Sequence, residues 1–314
     1  TLNPQSLDSH YLREKLPKQL QQPQLEILWQ FERMGLTQSL TCTPYYLQRL
    51  RGGSHHAWAE SSAVVYANSV LGAWTNREGG PSALAAAIIG KTADYGIHRE
   101  ENRQPNISVN VENRLRDETE YGALGILLGK TLGDRIPAIQ GLHCTSRDRL
   151  KQLCAAVATT GMANMLHLDA RSKSRGTEKV TVDSQQIKQA SEELCTASTS
   201  RPDLVFLGCP HCSLNEMKQI AKLVESKKIR PGTEFWVCTS CHVRQAASDS
   251  VKTIERAGGH VLDGVCTVVS WTEKLGIKTI ITNSAKTAFY APTLNKAETL
   301  LKPMRECVRA AVQG

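Results

Sequence analysis

The chain has 314 residues, 40% of them hydrophobic and 22% charged, with a formal net charge of +8 at pH 7. That balance excludes a disordered chain, and 22 glycines with 12 prolines exclude a collagen-like one. No apolar run approaches the ~20 residues of a membrane span, and a prior of ~150 residues per domain gives about two domains. Lys and Arg are scattered and only 5% of residues are aromatic, so neither nucleic acid nor a membrane is an expected partner. The positive charge has a bland reading, a mildly basic surface, and a sharper one, an anionic substrate. There are 10 cysteines and no signal peptide, which points to a reducing, cytoplasmic setting with thiols that are free, catalytic or metal-bound.

In chain order, Pro23 followed by Leu25, Ile27, Leu28, Phe31 and Met34 reads as an amphipathic helix stopped by Gly35. Leu40 to Pro44 reads as a short strand entering a turn. A helix over 57–71 should stop at Gly72, and another from Pro81 to Ile89 at Gly90. The polar stretch near 104–120 reads as loop. Ile136–Leu142 is apolar, Arg147–Thr160 helical, and Met165–Leu168 a short strand ending at Asp169, before a basic excursion over 170–185.

From 203 onward the pattern is strand, helix, strand, helix, strand: Leu204–Leu207, a capped helix after Ser213, Phe235–Val237, a helix of ~15 residues, His260–Leu262, and Lys278–Ile281. The expected class is α/β with parallel βαβ units in the C-terminal half. The expected division is 1–143, mostly helix and loop, and 144–314, α/β. Ligands in such sheets bind beyond the carboxyl ends of the strands, and Cys209, His211, Thr239, Ser240, Cys266, Asn283 and Ser284 all fall there. Each alone could be an ordinary turn residue.

Two cysteine readings compete. Cys209-x-x-Cys212 with Cys238-x-x-Cys241 has the look of a zinc site, although the intervening residues form a complete βα unit. Alternatively Cys42, Cys209 and Cys266, from three separate segments, hold an iron–sulfur cluster with one iron open to substrate. The densest polar stretch runs from Ala57 through Glu60, Ser61, Ser62 and Asn68 to Thr75-Asn76-Arg77-Glu78-Gly79-Gly80, with His98, Asn102 and Arg103 following. Arg77 can grip a carboxylate, and a Gly-Gly-Pro helix entry can offer amides to an anion.

The stretches 57–72 and 75–80, together with Thr41-Cys42-Thr43-Pro44-Tyr45, Tyr95-Gly96, His98, Asn102-Arg103, Gly208-Cys209-Pro210-His211 and Thr282-Asn283-Ser284, closely resemble the aconitase X catalytic family. The match begins at Thr1-Leu2-Asn3-Pro4 and covers most of the chain. The resemblance implies an aconitase-like large subunit and a hydro-lyase that dehydrates cis-3-hydroxy-L-proline, the favoured substrate, or mevalonate 5-phosphate. It implies an iron–sulfur cluster, [2Fe-2S] or [4Fe-4S], on Cys42, Cys209 and Cys266. It assigns Glu60, Ser61 and His98 to catalysis, and Ser62, Asn68, Arg77, Glu78, Gly79, Gly80, Arg103, His211 and Ser284 to substrate binding. It also implies a small swivelling subunit or fused domain that supplies a serine base. The sequence departs from the family in Cys212, Cys238 and Cys241, in Asp263-Gly264-Val265 before Cys266, and at His56 and Ala285. These departures motivate a second class of reading, a zinc- or redox-binding interaction module on an inactive scaffold.

Overall fold

The computed structural model describes residues 10–48, 50–143, 146–168, 174, 176, 178–198 and 201–312. The Thr1–Pro4 match, Cys144 and Asp169 lie outside the described residues. In chain order the helices are α1 (His10–Lys15), α2 (Lys18–Arg33), α3 (Ser61–Tyr66), α4 (Gly80–Ile89), α5 (Glu118–Leu132), α6 (Arg147–Thr160), α7 (Ser184–Glu193), α8 (Leu214–Val224), α9 (Cys241–Ala246), α10 (Ser248–Arg256), α11 (Ala285–Tyr290) and α12 (Met304–Ala311). The strands are β1 (Ile107–Val111), β2 (Pro137–Gln140), β3 (Lys179–Val182), β4 (Leu204–Cys212), β5 (Glu234–Thr239), β6 (His260–Asp263), β7 (Thr279–Thr282) and β8 (Glu298–Leu301). The fold is mixed α/β, and every pairing between these strands is parallel. Among the described residues no helix is long and apolar enough to cross a membrane.

The chain divides into two compact units, residues 47–193 and residues 10–46 with 194–312. The first unit is built on a three-stranded sheet of order β2-β1-β3. Its central strand corrects the loop reading of 104–120. Ile107, Val109 and Val111 are buried while Ser108 and Asn110 alternate with them, the period of two that a half-buried strand requires. Met165–Leu168 forms no strand beyond a bridge of His167 to Ala138, whereas β3 lies within the expected basic excursion. Helices α5 and α6 approach closely at glycines. A Cβ on Gly125 would stand 2.5 Å from Ala156 Cβ, and one on Gly129 would stand 2.2 Å from Thr160 Oγ1.

The second unit is a five-stranded sheet of order β6-β5-β4-β7-β8. Burial follows from its sequence, since β4 is buried throughout and apolar apart from His211, as expected for a strand covered on both faces. Met217, Ile220 and Val224 of α8 pack with Val205, Leu207 and Val237, while Phe206, Trp236 and Leu262 face a separate cluster. Ser213 and Glu216 form the expected capping box at α8. Helix α2 starts earlier than expected, with Pro23 inside it. Its first turns are anchored by Gln21, whose Nε2 donates to the carbonyls of Arg13 and Leu16 at 2.9 and 2.6 Å. Leu40–Pro44 is not a strand. Leu40 has φ of 37° and the Thr43 amide bonds the Thr41 side chain instead of a ladder partner.

Candidate functional site

In the second unit, β4 is in register with β5 up to Leu207↔Val237 and regains it only at Cys212↔Thr239. The intervening Gly208–His211 stretch therefore bulges out of the ladder, and Cys209 and His211 sit within the strand's span rather than past its end. Gly208 makes the departure possible. Its φ is 114°, and a Cβ there would stand 2.2 Å from the Cys238 carbonyl oxygen.

His211 ties three cysteine-bearing segments together. Its Nε2 lies 2.9 Å from the Val265 carbonyl and its Nδ1 lies 3.0 Å from Thr41 Oγ1. A carbonyl can only accept, so Nε2 carries the proton and Nδ1 accepts from the Thr41 hydroxyl. Thr41 Oγ1 in turn accepts from the Thr43 amide at 3.0 Å. The backbone N–H of His211 donates to Cys42 Sγ at 3.2 Å. Cys42, Cys209 and Cys266 thus flank the residues joined by one buried imidazole. His211, expected to touch substrate, has both ring nitrogens taken by the protein.

None of the described cysteines is in a disulfide. The Cys238 thiol is held well above its ordinary value, first by burial and then by Cys212, Cys266, Cys42 and Cys209, so five sulfurs share one neighbourhood. Cys212 nevertheless packs with the α8 cluster, whereas Cys209 and Cys238 pack with the Trp236 cluster. Cys209 and Cys212 of the first C-x-x-C pair therefore lie in clusters on opposite faces of the sheet and do not converge as a zinc tetrahedron needs. Among the described residues no three His, Cys, Asp or Glu side chains are placed to hold a single metal ion. An iron–sulfur cluster makes a different demand, because its thiolates bind different irons. Three undisulfided thiols, one already receiving an amide N–H, fit that donor set. Ser284 caps α11 by accepting from Thr287 N at 3.2 Å, and Ser240 caps α9 in the same way. These two strand-end serines have the ordinary capping role.

In the first unit, Ser54–Trp58 and Trp74–Glu78 run side by side, with bridges His55↔Trp74 and Trp58↔Arg77. Between them the expected single helix is split into α3 and a π-helical turn, Ala67–Leu71, ended by Gly72 at φ of 69°. Glu60 caps α3 and accepts from Ser62 Oγ at 2.6 Å, with Ser61 next to it at the first helical position. Asn68 is saturated. Its Nδ2 donates to the Thr75 and Asn164 carbonyls, and its Oδ1 accepts from Thr75 N and Arg103. Arg103 also donates to the Ile97 carbonyl at 3.1 Å and lies over the Trp74 ring. Arg77 donates to the Gly161 carbonyl at 2.9 Å and so caps the end of α6. Glu78 accepts from Ser82 at 2.6 Å beside Gly79 and Gly80, which open α4. The structure gathers Glu60, Ser62, Asn68, Arg77 and Arg103 into scaffolding hydrogen bonds.

A cleft of about 670 Å³ lies against α4 and is lined by His55, His56, Trp58, Lys91, Asp94 and His98, among others. His98, only 6% exposed, shares a hydrogen bond with His55, Nδ1 to Nδ1, at 2.8 Å. Only one of the two nitrogens can carry a proton in that bond. Burial, then His55, holds His98 below its ordinary pKa, so it is neutral at neutral pH. Its buried Nε2 has no hydrogen-bond partner among the described residues. Sequence reasoning found His98 but missed His55, Lys91 and Asp94; the His55-His56 pair abutting the polar motif was the available signal.

Three family models tile the chain: the aconitase X first domain over 1–101, second domain over 105–192 and third domain over 202–313. The chain belongs to the aconitase X family. It is 43% identical to the phosphomevalonate dehydratase large subunit of Methanocaldococcus jannaschii, over 98% of this chain and 81% of that protein. It is 33% identical to the cis-3-hydroxy-L-proline dehydratase of Pseudomonas aeruginosa, over 100% of this chain and 58% of that protein. The holo-form crystal structure of Thermococcus kodakaraensis aconitase X superposes with a TM-score of 0.88 at 35% identity, covering 94% of this chain and 78% of that one. This aconitase X chain is accordingly an enzyme of the dehydratase, or hydro-lyase, class. Relatives named large subunits imply a small-subunit partner in some members of the family.

Proposed function

We propose that this chain is the large subunit of a dehydratase that removes water from mevalonate 5-phosphate. The observation that carries the phosphate is the cleft, lined by one permanent cation, Lys91, by three imidazoles able to hydrogen-bond phosphate oxygens, His55, His56 and His98, and by a single carboxylate, Asp94. The relatives named phosphomevalonate dehydratase large subunit support it, at 43% and 44% identity against 33% and 32% for those named cis-3-hydroxy-L-proline dehydratase. The hydroxyproline favoured from sequence needs a carboxylate for its ring ammonium. Asp94 is the candidate for it, and it is already engaged by Arg99 at 3.2 Å.

Cys42, Cys209 and Cys266 are the residues that would hold an iron–sulfur cluster, of [2Fe-2S] or [4Fe-4S] type. When bound, such a cluster supplies an open iron as Lewis acid toward the departing hydroxyl. His211, locked as the Nε2–H tautomer, keeps the three thiol-bearing segments in place. His98 offers Nε2 to an anionic group of the substrate, and the amides that open α4 at Gly79-Gly80 offer further donors. Ser61, at the first position of α3, is a further hydroxyl available to the substrate. Glu60, Ser62, Asn68, Arg77, Glu78 and Arg103 act by positioning these groups. The carbon acid loses its proton to a base on the small subunit.

The test is anaerobic reconstitution with iron and sulfide, mixing with the small subunit of the Methanocaldococcus relative, and 31P and 1H NMR of mevalonate 5-phosphate. New vinyl proton signals are expected with the phosphate and none with cis-3-hydroxy-L-proline. Turnover of the hydroxyproline alone overturns the substrate, and full turnover without iron overturns the cofactor.

A further inference from the structure

The second unit carries a cleft of about 610 Å³ that none of the chemistry above uses. It opens between the end of α8, the loop after it, and α12. Lys227, Lys228, Arg230, Arg305 and Arg309 line it, and no carboxylate does. Two of these cations have internal tasks. Arg230 Nε donates to the Val312 carbonyl at 2.6 Å, and Lys228 Nζ donates to the Arg256 carbonyl at 2.8 Å. Lys227, Arg305 and Arg309 are exposed, and their side chains make no hydrogen bond or ion pair with any described residue.

Such crowding is unfavourable in the protein by itself. Like charges around a concave surface repel, and the cleft focuses their field. Arg305 is also in the first turn of α12, the end of a helix that disfavours a cation. Arg309, in the last turn, has the opposite excuse. A counter-ion resolves the conflict, and the volume lies in the range of small-molecule sites. The floor is apolar, formed by Leu223, Val308 and Val312. It therefore suits a ligand with an organic part as well as charge.

We propose that this cleft binds a small organic diphosphate. Guanidinium groups bind phosphate oxygens in pairs, and a diphosphate monoester carries roughly three negative charges, matching the three unengaged cations. A concave, apolar-floored site favours a small molecule over an acidic polypeptide or a nucleic acid. The site is separate in sequence and in unit from the His98 cleft, so it does not depend on the substrate assigned there.

The experiment is calorimetric titration of the full chain with inorganic pyrophosphate in 0.15 M salt, with sulfate as control. The expected result is saturable binding that sulfate does not match. Arg305→Gln with Arg309→Gln should weaken it about tenfold or more, the equivalent of at least ~1.4 kcal/mol. The same double variant should melt no lower than the parent without ligand, because it relieves repulsion. Should the double variant fail to fold, Lys227→Gln alone carries the test with the same sign. Unchanged affinity in the variants, no heat, or equal binding of sulfate overturns the proposal. Displacement of pyrophosphate by a short duplex DNA or an acidic peptide at lower concentration also overturns it, in favour of a macromolecular surface.

Discussion

His211 shows how one side chain can organise a site without touching its ligand. It is 2% exposed, and its two ring bonds reach Thr41 and the Val265 carbonyl, each next to a cysteine. Replacing it with Phe keeps the ring but strands the buried Val265 carbonyl, at a cost of about 1–3 kcal/mol, and leaves the Thr41 hydroxyl with Thr43 as its remaining partner. His211→Phe is therefore expected to lower both the melting temperature and the iron and sulfide retained after anaerobic reconstitution. Cys42→Ser, Cys209→Ser and Cys266→Ser should abolish retention, while Cys212→Ser, on the other face of the sheet, should retain it. Full loading of His211→Phe would falsify the positioning role. His98 offers a second test at this scale. Burial and His55 both lower its pKa, so the folded-state value should lie below 6.5. His55→Ala removes one cause and leaves burial, so the His98 value measured by NMR titration should rise but stay below 6.5.

At the scale of elements, two close approaches decide whether the frame forms. Gly125 of α5 meets Leu153 O and Ala156 Cβ of α6 at 2.6 and 2.5 Å from where a Cβ would stand. Both are parts of a helix that cannot swing aside, so Gly125→Ala should separate α5 from α6 and destabilise by about 1–3 kcal/mol. Urea unfolding would read this, and an unchanged midpoint would mean that the helices reseat freely. These contacts were not visible beforehand, because a glycine in an apolar helix reads only as a weak helix former. The elements that were legible had local signals: the capping box at Ser213, the glycine stops at Gly72 and Gly90, and the apolar runs of β4, β5 and β7. β1 was hidden because its polar flanks outweighed a five-residue alternation. The β4 bulge was hidden because Gly-Cys-Pro-His looks like the end of a strand whether or not the ladder resumes. For the site, the cysteine motifs and His98 were legible from their neighbours in sequence. The saturation of Asn68 and the capping by Arg77 depend on partners some 80 to 100 residues away, Asn164 and Gly161, which no local pattern announces.

For the whole molecule, the protonation of buried groups sets a stability window. His56, His98 and His260 all have folded-state pKa values below 6.5, each primarily through burial. Between those values and 6.5 the unfolded chain binds more protons than the folded one, so stability is complete above about pH 6.5 and falls as the pH drops below it. Glu234 extends the decline. Burial raises its pKa, but the hydroxyl of Tyr11 and the ammonium of Lys15 outweigh that and hold it below 4.5, so its contribution is lost as the pH falls further. On the alkaline side, burial raises Tyr66 to about 12 and Cys154 above its ordinary 9.0. Both favour the protonated folded state, and stability should fall as the pH climbs past about 9. The urea midpoint should thus be flat from about pH 6.5 to 9 and lower on both sides. His260 allows the acid limb to be dissected, because its ring stacks on Tyr11 at 3.8 Å. His260→Phe keeps the stack and removes the titration. It should leave the midpoint near pH 7.5 almost unchanged and make the fall between pH 6.5 and 5 shallower. If the acid limb keeps its slope in that variant, proton uptake by His260 is not part of it, and the decline belongs to the remaining histidines and to repulsion within a chain of net charge +8.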